Sequence, residues 1–309
     1  MALPVILDCD TGTDDALAIA LAVLHPDLDL LGVTTVWGNH EVRHTTDNSL
    51  RVLDHLGRGD VPVHAGLPGP FVPRVSPVPE GRAELPPTLD LPAPRSPAAP
   101  APAVDWLLET LRATTAPVAV VATGPFSNLA ALLRADPSVA EAIGPLVLLG
   151  GTHRHPGVTR WAERNVWCDP DAAAAVLSAN VEDVVMIGMD ATFAVALDEH
   201  HARGFAALGS RAGDVAARLL TQRIAWYRRD PDLAARGAAP LHDPLAVAYL
   251  VEHDVVTLTS TRCEVETRDP VRVGQTTFDL DPGGGGLRVA LDADRDKFAR
   301  LLTTTYARG

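Results

Sequence analysis

Short apolar runs alternate along this chain with segments of helical periodicity, and this alternation restricts the fold more than any other feature. Runs of this length, apolar throughout, are typical of strands that are covered on both faces. The first helical segment extends from Asp14 to His25 and has Leu17, Leu21 and Leu24 on one face. The predicted strands are PVILDC (4–9), LDLLGVTTV (28–36), VPVHAG (61–66), PVAVVA (117–122), PLVLLG (145–150) and VEDVVMIG (181–188). We therefore predict an α/β fold with an open, mostly parallel, Rossmann-like sheet and helices on both faces.

The other segments fit one domain of residues 1–309. Further helices are expected at about 43–56, after Ser127, after Asp169, over 210–250 and near 292–307, with a β-rich segment before the last of them. Between about residues 67 and 102 the pattern dissolves into prolines. A loop of that length in a compact domain is either disordered or functional. The run DPGGGG (281–286) is expected to be a turn between two late strands.

Composition excludes several classes of partner. The net charge of −13 argues against nucleic acid or an anionic membrane surface as the main partner. No apolar stretch reaches about 18 residues, so neither a membrane span nor a signal peptide is expected. The three cysteines, Cys9, Cys168 and Cys263, are far apart and odd in number. They suit a reducing compartment, and we expect a cytoplasmic protein.

The stretch LDCDTGTDDALAIALA (7–22) places four aspartates between two apolar runs: Asp8, Asp10, Asp14 and Asp15. Neighbouring carboxylates repel, and burial makes their ionisation costlier still. Either some of them stay protonated or a cation lies among them. Calcium takes six to eight oxygen ligands in flexible geometry and suits such a group best. Magnesium remains an alternative, whereas zinc is disfavoured because no His/Cys ligand spacing occurs.

Polar residues recur where the other predicted strands end. WGN (37–39), TGP (123–125) and GGTH (150–153) follow three of the predicted strands. Ligands of open parallel sheets bind outside the carboxyl ends of the strands. We therefore expect the active site at that edge of the sheet.

Several motifs, in order, resemble the inosine–uridine-preferring nucleoside hydrolase family over nearly the whole chain. The motifs are DCDTGTDDALA, WGN, ATGPFSNLA, LLGG, AERNVWCDPDAA and LHDPLAVAYL. The resemblance implies an open α/β sheet with one calcium ion at its carboxyl edge. It also implies hydrolysis of the N-glycosidic bond of a small-molecule nucleoside, with ribose and free base as products. Family members form dimers and tetramers, so we expect a homodimer or a homotetramer.

The resemblance also implies a role for individual residues. The implied calcium ligands are the carboxylates of Asp10, Asp15 and Asp243 and the backbone carbonyl of Thr123. The implied contacts to ribose hydroxyls are Asp14, Asn39, Glu163 and Asn165. Asp10 would also be the general base, and His242 would help the base to depart. The dense negative charge would then stabilise the oxocarbenium-like transition state of glycosidic cleavage.

Two departures leave the substrate open. Some family members carry a histidine at about residues 75–90, and this chain has none there. The asparagine that contacts the ribose 5′ end in familiar members is also missing, because Gly157 or Val158 stands at its position. A neighbour such as Arg160 or His155 could supply the contact instead. The candidate base-pocket residues are Gln222, Arg223, Trp226 and Tyr227. The preferred base is therefore not predicted.

Two other interpretations remain at this point. VILDCDTG also resembles the nucleophile strand of haloacid-dehalogenase-like phosphatases, which need a lysine followed by an acidic pair. The only lysine found is Lys297, in the last predicted helix with no acidic pair after it. The second alternative is a non-catalytic nucleoside- or calcium-binding protein. The poised base implied at Asp10 argues against it, since a binding protein has no need of one.

Overall fold

Strands and helices alternate along most of the chain, as the computed structural model shows for residues 2–73, 86–280 and 286–309. The strands are β1 (Leu3–Cys9), β2 (Leu28–Thr35), β3 (Val63–Ala65), β4 (Val118–Ala122), β5 (Ile143–Leu149), β6 (Val184–Ile187), β7 (Leu197–Asp198), β8 (Ala238–Ala239), β9 (Val256–Val265), β10 (Thr276–Asp279) and β11 (Leu287–Ala293). The helices are α1 (Thr13–Leu24), α2 (Val42–His55), α3 (Ala103–Ala113), α4 (Ser127–Ala135), α5 (Arg164–Cys168), α6 (Pro170–Leu177), α7 (Met189–Ala194), α8 (Glu199–Ala206), α9 (Arg211–Tyr227), α10 (Pro231–Arg236), α11 (His242–Val251) and α12 (Arg295–Tyr306). Two 3₁₀ turns lie at Pro137–Ala142 and His253–Val255.

Nine strands form one sheet in the order β10-β9-β11-β6-β5-β4-β1-β2-β3. The seven strands from β3 to β11 in this order pair in parallel, whereas β9 is antiparallel to both β11 and β10. The predicted α/β fold with a mostly parallel sheet is confirmed. The chain leaves β1 toward β2 and β3 and later continues from β4 in the opposite direction. The carboxyl ends of β1 and β4 therefore flank the crevice where such sheets bind ligands.

Successive residues of β1 show that the sheet is covered on both faces. Val5 and Leu7 belong to the larger core cluster, which includes residues of α1, α9, α11 and α12. Ile6, which points to the opposite face, belongs to a second cluster with residues of α3, α4 and α6. Val5, Ile6 and Leu7 are apolar in succession because neither face of the strand meets water.

Helix α1 is buried more completely than its sequence pattern indicates. The pattern predicts one apolar face, but the structure buries the eleven residues from Thr13 to Val23 and leaves only Leu24 half-buried. Helices α2, α9, α11 and α12 all contact α1 in addition to its contacts with the sheet. Because α1 lies between the sheet and a further layer of helices, almost every position on it faces protein.

The long helical segment expected over residues 210–250 is interrupted. It consists of α9, α10 and α11, and the short strand β8 before α11 pairs antiparallel with β7. Helix α10 ends at Gly237, whose φ of +57° is the left-handed conformation that terminates helices. Pro240 follows shortly after, so the interruption has local signals that the periodicity alone does not show.

No helix or strand occurs at 66–73 or 86–102, the described parts of the proline-rich loop. Its later part packs on α2: the Asn48 side chain donates to the Pro87 carbonyl at 3.0 Å and accepts from the Leu89 amide at 3.0 Å. Leu89 and Leu91 are buried. The middle of this loop, residues 74–85, and residues 281–285 of the predicted glycine-rich turn lie outside the described residues. Among the helices that are described, none combines the length and apolar character needed to cross a membrane.

Candidate active site

A cavity of about 180 Å³ opens at the carboxyl edge of the sheet. The segments that follow β1, β2, β4, β5 and β6 contribute to it, together with α9 and α11. The predicted residues that line it are Asp10, Asp14, Asn39, Thr123, Glu163, Asn165, Arg223, Trp226, Tyr227, His242 and Asp243. Of the other two, Asp15 is fully buried beside the cavity, and Gln222 is exposed and does not line it.

Three buried carboxylates converge beside this cavity. Asp14, Asp15 and Asp243 each offer an oxygen within 4.8 Å of the others. Asp15 is held from two sides: its Oδ2 accepts from the Gly12 amide at 2.9 Å and its Oδ1 from the Thr123 hydroxyl at 2.8 Å. The crevice between β1 and β4 therefore brings together residues from both ends of the chain.

Asp10 lies beside this group, oriented by the loop that follows β2. Its Oδ2 accepts from the Asn39 amide at 2.6 Å, and the Asn39 side chain donates to the Asp10 carbonyl at 3.2 Å. Gly38 permits the close approach, since a Cβ there would lie 2.1 Å from Asp10 Oδ2. Its φ of +155° is also a conformation that other residues rarely adopt. With Oδ2 engaged, Oδ1 is the oxygen left to act on a substrate or water.

Burial shifts the pKa values of these acids upward. Burial first, and then the charges of neighbouring aspartates, raise the pKa of Asp10 and of Asp243 well above the usual range. The same two causes raise the pKa of Asp15 to about 6. Asp8, at the end of β1, has a pKa raised by burial to about 6, although hydrogen bonds from Thr34 and Asn128 oppose the shift. Without a cation, such a cluster is costly to ionise.

These carboxylates have the donor chemistry of a hard-cation site. Carboxylate and carbonyl oxygens are the ligands that calcium and magnesium prefer. Of the three convergent acids, only Asp14 has an ion-pair partner among the described residues, namely Arg223. Asp15 and Asp243 are therefore buried without a directly paired cation, although the charge of Arg223 lies close enough to oppose the rise in the pKa of Asp243. The residues present fit a divalent cation.

Glu163 and Asn165 are positioned by the start of α5. Glu163 caps this helix: Oε1 accepts from the Asn165 amide at 2.9 Å, and Oε2 accepts from Val166 at 3.1 Å. The Asn165 side-chain nitrogen donates to the carbonyls of Thr123 at 2.6 Å and Leu149 at 3.0 Å. Both of its N–H groups are thereby used, so the Asn165 Oδ1 atom is the group that can accept a bond from a ligand.

His242, the first residue of α11, has a hydroxyl at each ring nitrogen. Nε2 lies 2.8 Å from the Tyr227 hydroxyl, and Nδ1 lies 2.7 Å from the Thr192 hydroxyl. Phe193 contacts both rings, with centroids 5.9 Å from His242 and 6.3 Å from Tyr227. Trp226 lies 4.8 Å from Tyr227. Of this group, Trp226, Tyr227 and His242 line the cavity and form its aromatic wall.

The structure gives Arg223 different contacts from those expected of a base-pocket residue. Its Nη1 atom lies 2.8 Å from Asp14 Oδ1, so the side chain pairs with a carboxylate of α1. Gln222, the preceding residue, points to solvent because the sequence neighbours on a helix face different directions. Of the four predicted base-pocket residues, Trp226 and Tyr227 are the two that lie at the aromatic wall of the cavity.

Several residues that line the cavity are not among the site residues predicted from the sequence. Thr192 follows β6, so its position after a strand end was the available signal. Arg164 lies between Glu163 and Asn165 and donates to the Gly38 carbonyl at 3.2 Å, while its Nε is buried without a hydrogen-bond partner. The remaining ones are Gly12, Thr13, His40, Pro86, Leu89, Leu149, Gly150, Ile187 and Met189.

Gly157 and Val158 both line the cavity. A Cβ at Gly157 would lie 2.0 Å from the Ala162 carbonyl, so a side chain there would clash with the backbone. The suggested substitutes lie elsewhere. Arg160 is stacked over the Trp161 ring at 5.2 Å, and His155 is stacked on Phe193 at 4.7 Å.

Comparison with known proteins gives one consistent family. The family described as inosine-uridine preferring nucleoside hydrolase matches residues 5–300. The pyrimidine-specific ribonucleoside hydrolase RihA of Escherichia coli (strain SE11) is 36% identical over 308 residues, which cover 98% of this chain and 97% of that protein. RihA of Citrobacter koseri is 36% identical over 313 residues, with 99% of both chains covered.

Solved structures agree. A purine-preferring ribonucleoside hydrolase from Gardnerella vaginalis superposes with a TM-score of 0.88 at 30% identity and covers 98% of each chain. The plant nucleoside hydrolase PpNRh1 superposes with a TM-score of 0.86 at 27% identity over 100% of each chain.

Proposed function

This chain belongs to the inosine-uridine preferring nucleoside hydrolase family, and on that basis we propose a specific division of labour among the residues of its cavity. The enzyme hydrolyses ribonucleosides to ribose and a free base. Asp10 is the general base, and the whole chain of 309 residues acts as one nucleoside hydrolase domain. The observation that carries the proposal is the convergence of buried carboxylates beside a cavity at the crevice between β1 and β4.

The metal in this proposal is Ca²⁺, held by the carboxylates of Asp10, Asp15 and Asp243 and the carbonyl of Thr123. A bound divalent cation supplies positive charge that lowers the pKa of a neighbouring water and offsets the repulsion among the carboxylates. Asp10 accepts the proton of the attacking water through Oδ1, because Oδ2 is engaged by the Asn39 amide. The choice of Ca²⁺ rests on the number of oxygen ligands and their crowding.

The ribose is held by Asp14, Asn39, Glu163 and Asn165, all of which line the cavity. Cleavage of the bond to the base builds positive charge on the ribose ring. Carboxylates fixed in advance around that ring stabilise this charge more than they stabilise the neutral substrate, which lowers the barrier. His242 and Tyr227 face the departing base and supply the hydrogen bond or proton that it needs.

We propose pyrimidine ribonucleosides as the preferred substrates. The support is sequence identity: relatives named as pyrimidine-specific are 36% identical to this chain, and a purine-preferring enzyme of solved structure is 30% identical. Uridine and cytidine should then have a higher kcat/KM than inosine and adenosine. A higher value for inosine would contradict this assignment.

We also propose a cytoplasmic homodimer or homotetramer. The three cysteines are all free, as suits a reducing compartment. Light scattering coupled to gel filtration gives the oligomeric state, and a monomeric mass at micromolar concentration would contradict the proposal. Fractionation of the native cells tests the location.

The decisive experiment measures ribose release from a nucleoside panel by the protein before and after exhaustive chelation. Turnover that is lost on chelation and returns with Ca²⁺ is expected. A phosphatase of the haloacid-dehalogenase type is not favoured, since Lys297 lies on α12 in an ion pair with Asp254 and does not line the cavity. Nucleoside binding without any ribose release would indicate the non-catalytic alternative.

A further inference from the structure

Arg223 is a buried cation that is fixed on three sides beside the carboxylate cluster. The residue is 5% exposed. Its Nη1 atom lies 2.8 Å from Asp14 Oδ1 and donates to the Thr13 hydroxyl at 3.0 Å, while its Nε donates to the Pro240 carbonyl at 2.9 Å. Partners on α1 and on the segment before α11 therefore fix the guanidinium, and the guanidinium in turn fixes Asp14.

Asp14 is also close enough to Asp15 and Asp243 for the three to share one cation. A charge-assisted bond to a buried guanidinium commits one oxygen of Asp14 and compensates its charge. Asp15 and Asp243 have no such partner within the described ranges. The cluster is thus divided between one carboxylate that is paired directly with the guanidinium and two that lie near its charge without contacting it.

We propose that Arg223 is a positioning residue that keeps Asp14 out of the metal's ligand set, so that Asp14 stays available to a hydroxyl group of the substrate. This inference rests on the proposed function, in which Asp15 and Asp243 are metal ligands. Without the guanidinium, Asp14 turns toward the metal, and the loss of a nearby positive charge strengthens metal binding further. Metal affinity and substrate affinity therefore change in opposite directions.

The test is Arg223→Met, which keeps an unbranched side chain and removes the charge. Ca²⁺ is titrated calorimetrically into chelator-treated protein, and KM and kcat for uridine are measured at saturating Ca²⁺. We expect the Kd for Ca²⁺ to fall at least tenfold and KM to rise at least tenfold, with a smaller loss of kcat. General damage to the site would instead weaken the binding of Ca²⁺ and of uridine alike. A Ca²⁺ affinity that is unchanged or weaker in the folded variant would overturn the inference.

Three controls separate the effect of the charge from that of the geometry. The first control is Arg218→Met. Arg218 lies on the same helix, and its side chain is 43% exposed and paired with Asp214, so the substitution should alter neither the Kd for Ca²⁺ nor KM. Arg223→Lys restores the charge and should return Ca²⁺ affinity to within about threefold of the wild-type value. In an Asp14→Asn background, Arg223→Met should lower log Kd for Ca²⁺ by less than half as much as it does in the wild-type background. The reason is that residue 14 then has no carboxylate to turn toward the metal.

Failure of the inference differs from failure of the proposed function. Wild-type protein that binds no Ca²⁺ contradicts the proposed metal, whereas wild-type binding without tightening in the variant contradicts only the role of Arg223. Should Arg223→Met not fold, Arg223→Gln keeps a hydrogen-bond donor without the charge and should shift both constants in the same directions. Equal constants for Arg223→Gln and the wild type would also overturn the inference.

Discussion

The Tyr227 hydroxyl lies 2.8 Å from Nε2 of His242, and both residues line the cavity. On the other side, the Thr192 hydroxyl lies 2.7 Å from Nδ1. A neutral imidazole donates at one nitrogen and accepts at the other, and either hydroxyl can take either role. In this arrangement His242 can pass a proton toward the base through the Tyr227 hydroxyl.

This arrangement predicts how loss of the imidazole affects different bases. His242→Ala should lower kcat for purine nucleosides about a hundredfold or more, the usual contribution of a general acid, and should cost less for pyrimidine nucleosides. Tyr227→Phe should show the same ranking if the two groups act as a unit. Steady-state kinetics with inosine and uridine measures both. Equal losses on the two substrate classes would count against a leaving-group role for His242.

Asp10→Asn should separate catalysis from folding. The amide keeps the shape of the side chain and can still accept from the Asn39 amide, but it is no base. At saturating Ca²⁺, which offsets the weaker binding that loss of one ligand charge would cause, we expect kcat to fall by roughly three orders of magnitude or more with a melting temperature close to that of the wild type. The matched control is Asp29→Asn, an exposed position on β2 that should leave kcat unchanged. Substantial residual turnover in the Asp10 variant would exclude Asp10 as the base.

Removal of the metal should destabilise the fold as well as stop turnover, because the carboxylates of Asp15 and Asp243 would lose their countercharge. Ca²⁺ at 100 times its Kd would stabilise the native state by about 2.7 kcal/mol. For a chain of 309 residues that corresponds to roughly 4 °C in melting temperature. Calorimetric scans with chelator, with Ca²⁺ and with Mg²⁺ measure it. A larger shift with Mg²⁺ than with Ca²⁺ at equal concentration would contradict the choice of ion.

The site should tolerate loss of the substrate's 5′-hydroxyl. Gly157 has no room for a side chain, and Val158 cannot form a hydrogen bond. One missing hydrogen bond is worth about 1–3 kcal/mol, so a chain without that contact should lose less than roughly tenfold in kcat/KM with a 5′-deoxynucleoside. Uridine, 5′-deoxyuridine and uridine 5′-monophosphate form the test series. A hundredfold penalty for the deoxy compound would refute the prediction, and efficient cleavage of the monophosphate would indicate that Arg164 binds phosphate instead.

The thiol of Cys263 should be unreactive at neutral pH. Burial, followed by the charge of Glu264, raises its pKa to about 12. Because alkylation proceeds through the thiolate, a pKa raised by about three units lowers the rate at pH 8 about a thousandfold. The rate should rise about tenfold per pH unit between pH 8 and 10. Iodoacetamide labelling followed by mass spectrometry measures it, with urea-unfolded protein as the control. Rapid labelling of the native protein at pH 8 would contradict the shift.

The local sequence pattern is sufficient to predict those elements that depend mainly on residues close together in the sequence. The apolar runs of β1, β4 and β5 are visible in the sequence because strands that are covered on both faces have few polar positions. The turn that carries Asp10 could be placed because the carboxyl ends of parallel strands share one edge of a sheet. The break between α9 and α11 was missed because helical periodicity continues on both sides of it. Only Gly237 and Pro240 mark the break in the local sequence.

What the sequence by itself determined is therefore the alternation that forces a parallel sheet, the edge at which the aspartates gather, and the motif order that indicates the family. Only the tertiary structure decided which side chains meet across that edge. Arg223 pairs with Asp14 because α9 packs on α1, and His242 meets Thr192 because α11 contacts α7. Such contacts join residues far apart in the chain, and their geometry depends on how whole helices pack, which no local periodicity encodes.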